Sequence, residues 1–274
     1  MPVLTIITIN RNNRSGLEKT LKSVSAQCSG QIEHVIVDGA STDGSFEIIR
    51  KYAEGKEGLV KWVSEPDSGI YNAMNKGIAM ASGEYVLFLN SGDSLAGEHV
   101  AERMTTCLEE QKYPHILYGN LIKEMRDGKD VKDTSFAGEE ITLLAMFIGT
   151  LNHSSALIRR ELFEVYGLYD ESLKVVSDWK WFLQAIVFGN EKPVYVDFDV
   201  TRFDMTGISE TNKDLAREER RQVLEALIPA PILKDYVRWT PEIRQMQRIE
   251  RYPGTRKLVW FLERCLFKWE KHKK

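Results

Sequence analysis

Tyr85-Val86-Leu87-Phe88-Leu89-Asn90-Ser91-Gly92-Asp93-Ser94 is an almost wholly apolar run that stops abruptly in small polar residues and one carboxylate. Continuous apolar strands of this kind suit the middle of a parallel sheet covered on both faces, where ligands gather outside the carboxyl ends of the strands. The stretch therefore predicts a buried strand that delivers Asp93 to a binding edge. One carboxylate beside Asn90 and Ser91 can suffice for a hard cation such as Mg²⁺ or Mn²⁺, because substrate phosphates supply further oxygens. Taken alone, Asn-Ser-Gly-Asp after a strand is also an ordinary turn.

Working outward, Val3 to Ile9 is a β-branched run ending in Asn10-Arg11-Asn12-Asn13, after which Ser15 and Glu18 offer a capping box for a helix reaching about Gln27. Ile32 to Val37 repeats the pattern, with Asp38 to Gly44 as the loop before a helix through about Ala53. Val60 to Val63 is a short third strand, Ile70 to Ala81 a helix, and a helix from about Gly97 to Glu110 follows the Tyr85 strand. The alternation predicts parallel strands with crossover helices and polar loops along one edge, as a nucleotide site requires. Neither G-x-G-x-x-G nor G-x-x-x-x-G-K-[ST] occurs, which argues against dinucleotide enzymes and P-loop NTPases.

Beyond Tyr118 the alternation dissolves. Arg126 to Lys129 reads as a hairpin turn, helical segments follow near Glu139–Ile148, Ala156 to Ile158 is a short apolar run, and Arg160 to Tyr166 a helix. Ser177 or Asp178 opens another helix, Pro193 to Val200 is a final strand, and Phe203 to Ser209 is the loop leaving it. An Asp in a first helical turn also stabilises the helix through its free N–H groups and dipole, so Asp178 has a purely structural reading beside a catalytic one.

The 274 residues, 43% of them hydrophobic, can bury one large α/β core and a smaller appendage. The net charge of −3 hides an asymmetry: residues 232–274 hold twelve Lys/Arg against five Asp/Glu, which makes the tail basic and the body acidic. Cys28, Cys107 and Cys265 lack the spacing of zinc sites or disulfide frameworks and fit a reducing, cytoplasmic setting. No apolar run approaches the roughly 18 residues that span a bilayer, and the N-terminus lacks a basic signal-peptide region. Within Thr255 to His272, Leu258, Leu262, Cys265, Leu266 and Trp269 recur at helical spacing, broadened by Trp260, Phe261 and Phe267. Such a basic amphipathic helix is expected to lie on an anionic membrane, at the inner face of the cell membrane, or to pack on the catalytic domain or in a homodimer.

Taken together, Thr5-Ile6-Ile7-Thr8, the Asp38 to Gly44 loop, the stretch from Ser64 through Asp67, Tyr71, Asn72, Asn75 and Lys76 to Gly77, Leu89 to Asp93, and Val176-Ser177-Asp178-Trp179 resemble one family. They are similar to the family 2 inverting glycosyltransferases, especially bacterial members that extend surface polysaccharides. The resemblance implies an α/β GT-A (nucleotide-diphospho-sugar transferase) fold, with a mostly parallel central sheet flanked by helices and a helical C-terminal extension. The expected division is a catalytic domain at 1–212, with a nucleotide-binding half at 1–118 and an acceptor-side half at 119–212, followed by a basic extension at 213–274.

The resemblance also implies roles. Thr8, Asn10 and Asp38 would hold the nucleotide base and ribose; a carboxylate can accept from an imide N–H. Asp67 and Lys76 would lie near ribose and diphosphate, with Asn90 and Ser91 beside them, while Tyr71 reads as packing. Asp93 would bind a divalent cation, Mn²⁺ or Mg²⁺, although the family's usual Asp-x-Asp or Asp-Asp is reduced here to Asn-Ser-Gly-Asp. Asp178 would be the catalytic base, standing in a Ser-Asp pair where Glu-Asp is usual, and His153 falls at the acceptor side. The implied reaction moves a sugar from a nucleoside diphosphate sugar, UDP-linked, to a hydroxyl of a glycan or lipid-linked acceptor. Two other classes stand beside it. A sugar-1-phosphate nucleotidyltransferase would want a Gly-rich first loop with a lysine, which Ile9 to Asn12 lacks; a non-catalytic membrane scaffold would fit the depleted metal motif and basic tail.

Overall fold

A computed structural model describes residues 3–27, 32–125, 127–207, 211–250, 252 and 254–271. Four strands, β1 (Leu4–Asn10), β2 (Ile32–Asp38), β3 (Val60–Ser64) and β4 (Tyr85–Phe88), pair in parallel in the order β3-β2-β1-β4. All of β1 and β4 is buried; β4 is wholly apolar, and the polar Thr5, Thr8 and Asn10 of β1 are buried with hydrogen-bond partners. The crossovers are helices α1 (Arg14–Ser25), α2 (Ser45–Ala53) and α3 (Ile70–Met80).

Past β4 the sheet becomes mixed. It continues through β8 (Ala156–Arg159), β6 (Ile116–Glu124), β9 (Val194–Asp204) and the short β5 (Ser94–Leu95), with β7 (Asp130–Asp133) hairpinned onto β6. β8 runs antiparallel to both β4 and β6, whereas β6 and β9 are parallel. The parallel order expected from the strand–loop–helix repeats thus holds through β4, and the sheet turns mixed in the half where the alternation dissolves. The turn between β6 and β7 is where the Arg126–Lys129 hairpin was expected; Arg126 itself lies outside the described residues, as do Cys28, Ile208, Ser209 and His272.

Several boundaries differ from the sequence reading for identifiable reasons. Helix α1 is capped by Asn13, whose side chain accepts from the Gly16 N–H at 3.1 Å, so the Ser15/Glu18 box is not used. Asp43 accepts from the backbone N–H groups of Arg14 and Ser45, at 2.8 and 3.1 Å, and so ties the starts of α1 and α2 together. Helix α4 (Val100–Glu110) starts at Val100 rather than Gly97. Strand β9 runs on to Asp204, which turns an expected loop residue into the end of a strand.

The remaining elements of this part are α5 (Leu143–Ile148), α6 (Leu162–Val165) and α7 (Ser177–Phe182), the last continuing as π-helical turns over Leu183–Phe188. Phe163 stacks on Trp181 with ring centroids 4.7 Å apart, and Tyr169 sits edge-on to Phe163, so an aromatic cluster fixes α7 beneath the sheet edge.

The chain divides into two compact units, 1–221 and 222–274. Helix α8 (Lys213–Leu227) begins in the first. The second contains α9 (Ala230–Glu250) and α10 (Thr255–Lys271). Among the described residues no helix is long and apolar enough to cross a membrane.

Candidate active site

A cavity of about 820 Å³ opens at the carboxyl ends of β1 and β4 and the start of α7, a volume typical of small-molecule sites. Asn10, Asp67, Asn90, Ser91, Asp93, His153 and Asp178 all line it. Thr8, Asp38 and Lys76 do not, and each has a physical reason.

Asp38 is fully buried, and its two oxygens accept four hydrogen bonds: from Asn10 Nδ2 (2.8 Å) and Ser41 Oγ (2.6 Å) on one, from the Ser41 N–H (3.0 Å) and Ser64 Oγ (2.7 Å) on the other. Burial would raise its pKa, but these donors outweigh it and hold the carboxyl below its usual range. Asp38 therefore has no lone pair turned to a base; it organises the loop. Thr8 is likewise buried, donating to the Leu89 carbonyl at 2.8 Å and meeting His34 Nε2 at 2.9 Å. Lys76 is drawn away by Glu65 (2.7 Å) and the Pro66 carbonyl (3.0 Å) and anchors the loop from below. Thr8, Asp38 and Lys76, expected from the resemblance to touch the nucleotide, thus stand outside the cavity lining with their hydrogen bonds made within the chain.

Asn10 differs from its neighbours. Its Nδ2 must face the Asp38 carboxylate, which leaves Oδ1 buried without a partner. Asp67 accepts from the Gly69 N–H at 3.1 Å and lies against Gly39, where a Cβ would stand 2.3 Å from Asp67 Oδ2; only glycine allows that approach.

The loop after β4 is braced from α1. Thr20 Oγ1 donates to the Asp93 carbonyl at 2.6 Å and accepts from the Gly92 N–H at 3.1 Å, while Asn13 Nδ2 donates to the Ser91 carbonyl at 3.0 Å. Gly92 takes φ +109°, and Asp204 closes over it, a combination no side chain at 92 would permit. Asp93 is 3% exposed; Oδ1 accepts from the Asp204 N–H at 2.9 Å and Oδ2 has no partner. Burial pushes its carboxyl up to about 7, and the nearby Asp204 carboxylate adds to the rise while the Asp204 N–H and His153 oppose it. Asn90 Oδ1 is also buried and unpartnered. Among the described residues no group of three or more His, Cys, Asp and Glu forms a metal cage. Yet one desolvated carboxylate oxygen, a second carboxylate close by and a free amide oxygen are the hard-oxygen donors that a phosphate-bridged Mg²⁺ or Mn²⁺ takes, so these residues fit such an ion.

Asp178, in the first turn of α7, is held by two side chains: Tyr71 Oη donates to Oδ1 and His153 Nδ1 meets Oδ2, each at 2.9 Å. Burial would raise its pKa, but His153 and Tyr71 outweigh that and keep the carboxyl below its usual range. His153 moves the opposite way. Burial alone would lower it, yet the Asp178 carboxylate holds it above the ordinary imidazole value. Its other nitrogen faces Asn90 Nδ2 at 3.5 Å.

Sequence reasoning missed the parts that position Asp178. Tyr71, read as packing, is its hydrogen-bond donor from 107 residues away. Glu219, 5% exposed in α8, accepts from the backbone N–H groups of Lys174 (2.7 Å), Val175 (2.9 Å) and Val176 (3.2 Å), pinning the segment that enters α7. Tyr71 stands inside the Ser64 to Gly77 stretch but was given no polar role there, and Glu219 has no local motif beyond an acidic residue on an otherwise half-buried helix face.

Comparison with known proteins bears on this arrangement. The family described as Glycosyl transferase family 2 matches residues 5–167. An uncharacterized glycosyltransferase of Mycobacterium tuberculosis is 31% identical over 211 residues, 76% of this chain and 77% of that one. A PGL/p-HBAD biosynthesis glycosyltransferase of Mycobacterium bovis is 30% identical over 180 residues, 65% and 67% of the two chains. The crystal structure of residues 1–349 of Staphylococcus aureus TarS in complex with UDP matches with a TM-score of 0.64 at 20% identity, covering 95% of this chain and 78% of that one. That likeness is one of fold, and the fold is GT-A.

Proposed function

This chain belongs to glycosyl transferase family 2, and on that footing we propose that it is an inverting enzyme. It would transfer a sugar from a UDP-linked donor to a hydroxyl of a glycan or lipid-linked acceptor in surface polysaccharide synthesis. The observation that carries the reading is the pairing, along one cavity, of an ionised and doubly oriented carboxylate, Asp178, with a buried carboxylate, Asp93, whose free oxygen has no protein partner. The UDP complex of TarS and the biosynthetic role in the name of the Mycobacterium bovis relative support the donor and acceptor classes.

In this mechanism Asp178 accepts the proton of the acceptor hydroxyl while that oxygen attacks the anomeric carbon from the face opposite the diphosphate. A single displacement inverts the centre. The base must begin ionised, which is what Tyr71, His153 and the helix N-terminus favour. Asn10, Asp67, Asn90 and Ser91 bind the nucleotide, with Thr8, Asp38 and Lys76 fixing their loops from beneath; Arg11 and Lys174 line the cavity as cations for the diphosphate. A divalent cation held by Asp93, with Asn90 and Asp204 beside it, would neutralise charge on the leaving diphosphate. His153 orients Asp178 at the acceptor side. Release of UDP from a panel of UDP-sugars, with the product anomer read by NMR and with EDTA or Mn²⁺ present, tests the reading; a product of retained configuration overturns it.

The catalytic domain at 1–212 is proposed to act at the cytoplasmic face, attached through the basic extension at 213–274. In α10, Leu258, Trp260, Phe261 and Leu262 are each more than half exposed, at 58, 58, 59 and 51%, with Lys257 and Arg264 exposed among them. Apolar rings beside cations suit an anionic headgroup layer, where each Lys/Arg contributes about 1 kcal/mol. Flotation with phosphatidylglycerol vesicles at low salt tests this. Binding that is unchanged in Trp260→Ser/Phe261→Ser, or a concentration-dependent dimer in place of binding, overturns it.

A further inference from the structure

Of the four Lys/Arg side chains that line the cavity, two are paired with carboxylates. Arg11 lies 3.7 Å from Asp67 and Lys123 2.6 Å from Asp133. Lys174 is exposed, and water suffices for it. Arg220 is the exception. It is partly buried, lines the cavity from α8, and has no carboxylate within ion-pair distance among the described residues. Its guanidinium lies 4.6 Å from the centre of the Trp179 ring and donates one hydrogen bond, 3.3 Å long, to the Gly149 carbonyl. Burial lowers its pKa. The one acidic group whose field reaches it, Asp178, already accepts from Tyr71 and His153.

A desolvated guanidinium without a counter-ion is costly, and its planar fork is shaped for two oxygens of a phosphate or carboxylate. Trp179 and Gly149 fix the side chain, so the remaining N–H donors are preorganised. The ring contact and the hydrogen bond of Arg220 are both on the wall that carries Asp178, with Trp179 next to Asp178 in α7. In an inverting displacement the base and the leaving group lie on opposite faces of the anomeric carbon, so a cation grouped with the base stands on the acceptor's side.

We propose that Arg220 is an oxyanion subsite for the acceptor, receiving a phosphate or carboxylate that the acceptor carries close to its reacting hydroxyl. The assignment rests on Asp178 being the base. It narrows the acceptor to an anionic glycan or a phosphate-bearing carrier. Arg220 is then a specificity residue, and neutral acceptors are poor because they leave the guanidinium unpaired.

The test is calorimetric titration of inorganic phosphate, and separately of glucuronate, into the intact protein with and without saturating UDP and Mg²⁺. At least one anion is expected to bind the UDP-loaded wild type. Arg220→Gln should weaken that binding about tenfold or more, the loss typical of a hydrogen bond to a charged group, while UDP affinity changes less than about twofold. Arg220→Lys keeps the charge and should retain part of the binding. Competition between the anion and UDP, or equal weakening of both in Arg220→Gln, assigns Arg220 to the donor diphosphate and overturns the proposal. So does UDP-loaded wild type that binds neither anion. If Arg220→Gln does not fold, the wild-type titrations decide alone. If UDP fails to bind the wild type, the donor reading is what fails, and the UDP-free titrations still decide Arg220.

Discussion

Beneath the loops after β1 and β2, Asp38 accepts four hydrogen bonds, whereas beneath the loop after β4, Asp93 accepts one from the protein and keeps an oxygen without a partner. Both carboxylates are buried, and burial acts upward on both, but Asp38 ends below its usual range and Asp93 rises to about 7. Four neutral donors make Asp38 stable as an anion; one donor and a neighbouring carboxylate do not do this for Asp93. The difference separates scaffold from site. A buried polar group that the chain has already satisfied is finished, and one it has left unsatisfied marks where a substrate or ion completes the protein.

The comparison is broken most severely at Asp178. Asp178→Asn keeps the shape and removes the base, so turnover should fall by about 10²–10⁴ while UDP binding stays nearly unchanged. A variant that keeps a third or more of wild-type turnover with a verified acceptor would mean that proton removal is done elsewhere.

Asp93→Asn is expected to abolish the Mn²⁺-dependent part of UDP affinity and leave the metal-free part intact, which titration with and without EDTA separates. The effect is pH-linked. Because the carboxyl of Asp93 is raised to about 7, it must lose a proton to hold a cation, so metal-dependent binding should weaken as pH falls through that value. Equal Mn²⁺ dependence in variant and wild type removes Asp93 from the ion.

Asp38→Asn probes the satisfied half and should show itself in stability. Loss of a charged acceptor among its donors is worth about 1.5–3 kcal/mol. The sign follows from the lowered pKa: the ionised carboxylate contributes fully above its unfolded value of 3.8, and the contribution is lost as pH falls through the lower folded value. The melting-temperature gap between wild type and variant should therefore be constant near neutrality and close in acid. A variant that melts normally yet loses UDP affinity would return Asp38 to direct base recognition.

How far the sequence could be read follows from the same contrast. The place of Asp93 on the cavity was legible because an apolar strand ends there in small polar residues, that of Asp178 came from the resemblance, and the parallel order of β1 to β4 followed from three strand–loop–helix repeats. Residue type alone could not show that Thr8, Asp38 and Lys76 would spend their hydrogen bonds within the chain, because Ser41, Ser64, Glu65 and His34 become their partners only on folding. Glu219 was illegible for a related reason. It caps backbone N–H groups 43 to 45 residues earlier, and no spacing rule connects them. The mixed half of the sheet was hidden because short antiparallel strands such as Ala156–Arg159 carry too little periodicity to declare a direction.

The smallest effect, and the one that most sharpens the contrast, is expected at Tyr71. Its hydroxyl donates to Asp178 Oδ1, and its ring is buried against Tyr169, so Tyr71→Phe removes that donor and keeps the packing. That donor favours the ionised form of Asp178. Without it the carboxyl rises toward its usual range, with His153 still holding it down. Because the base acts when ionised, activity on the acidic side rises with pH through this pKa; a higher pKa carries that limb of the kcat/KM profile to higher pH. The plateau should stay within about tenfold of wild type, since His153 still orients the carboxylate. A purely structural tyrosine would lower stability and leave the limb in place. A limb that stays put while the protein remains folded would therefore show that Tyr71 belongs with the satisfied scaffold rather than with the site.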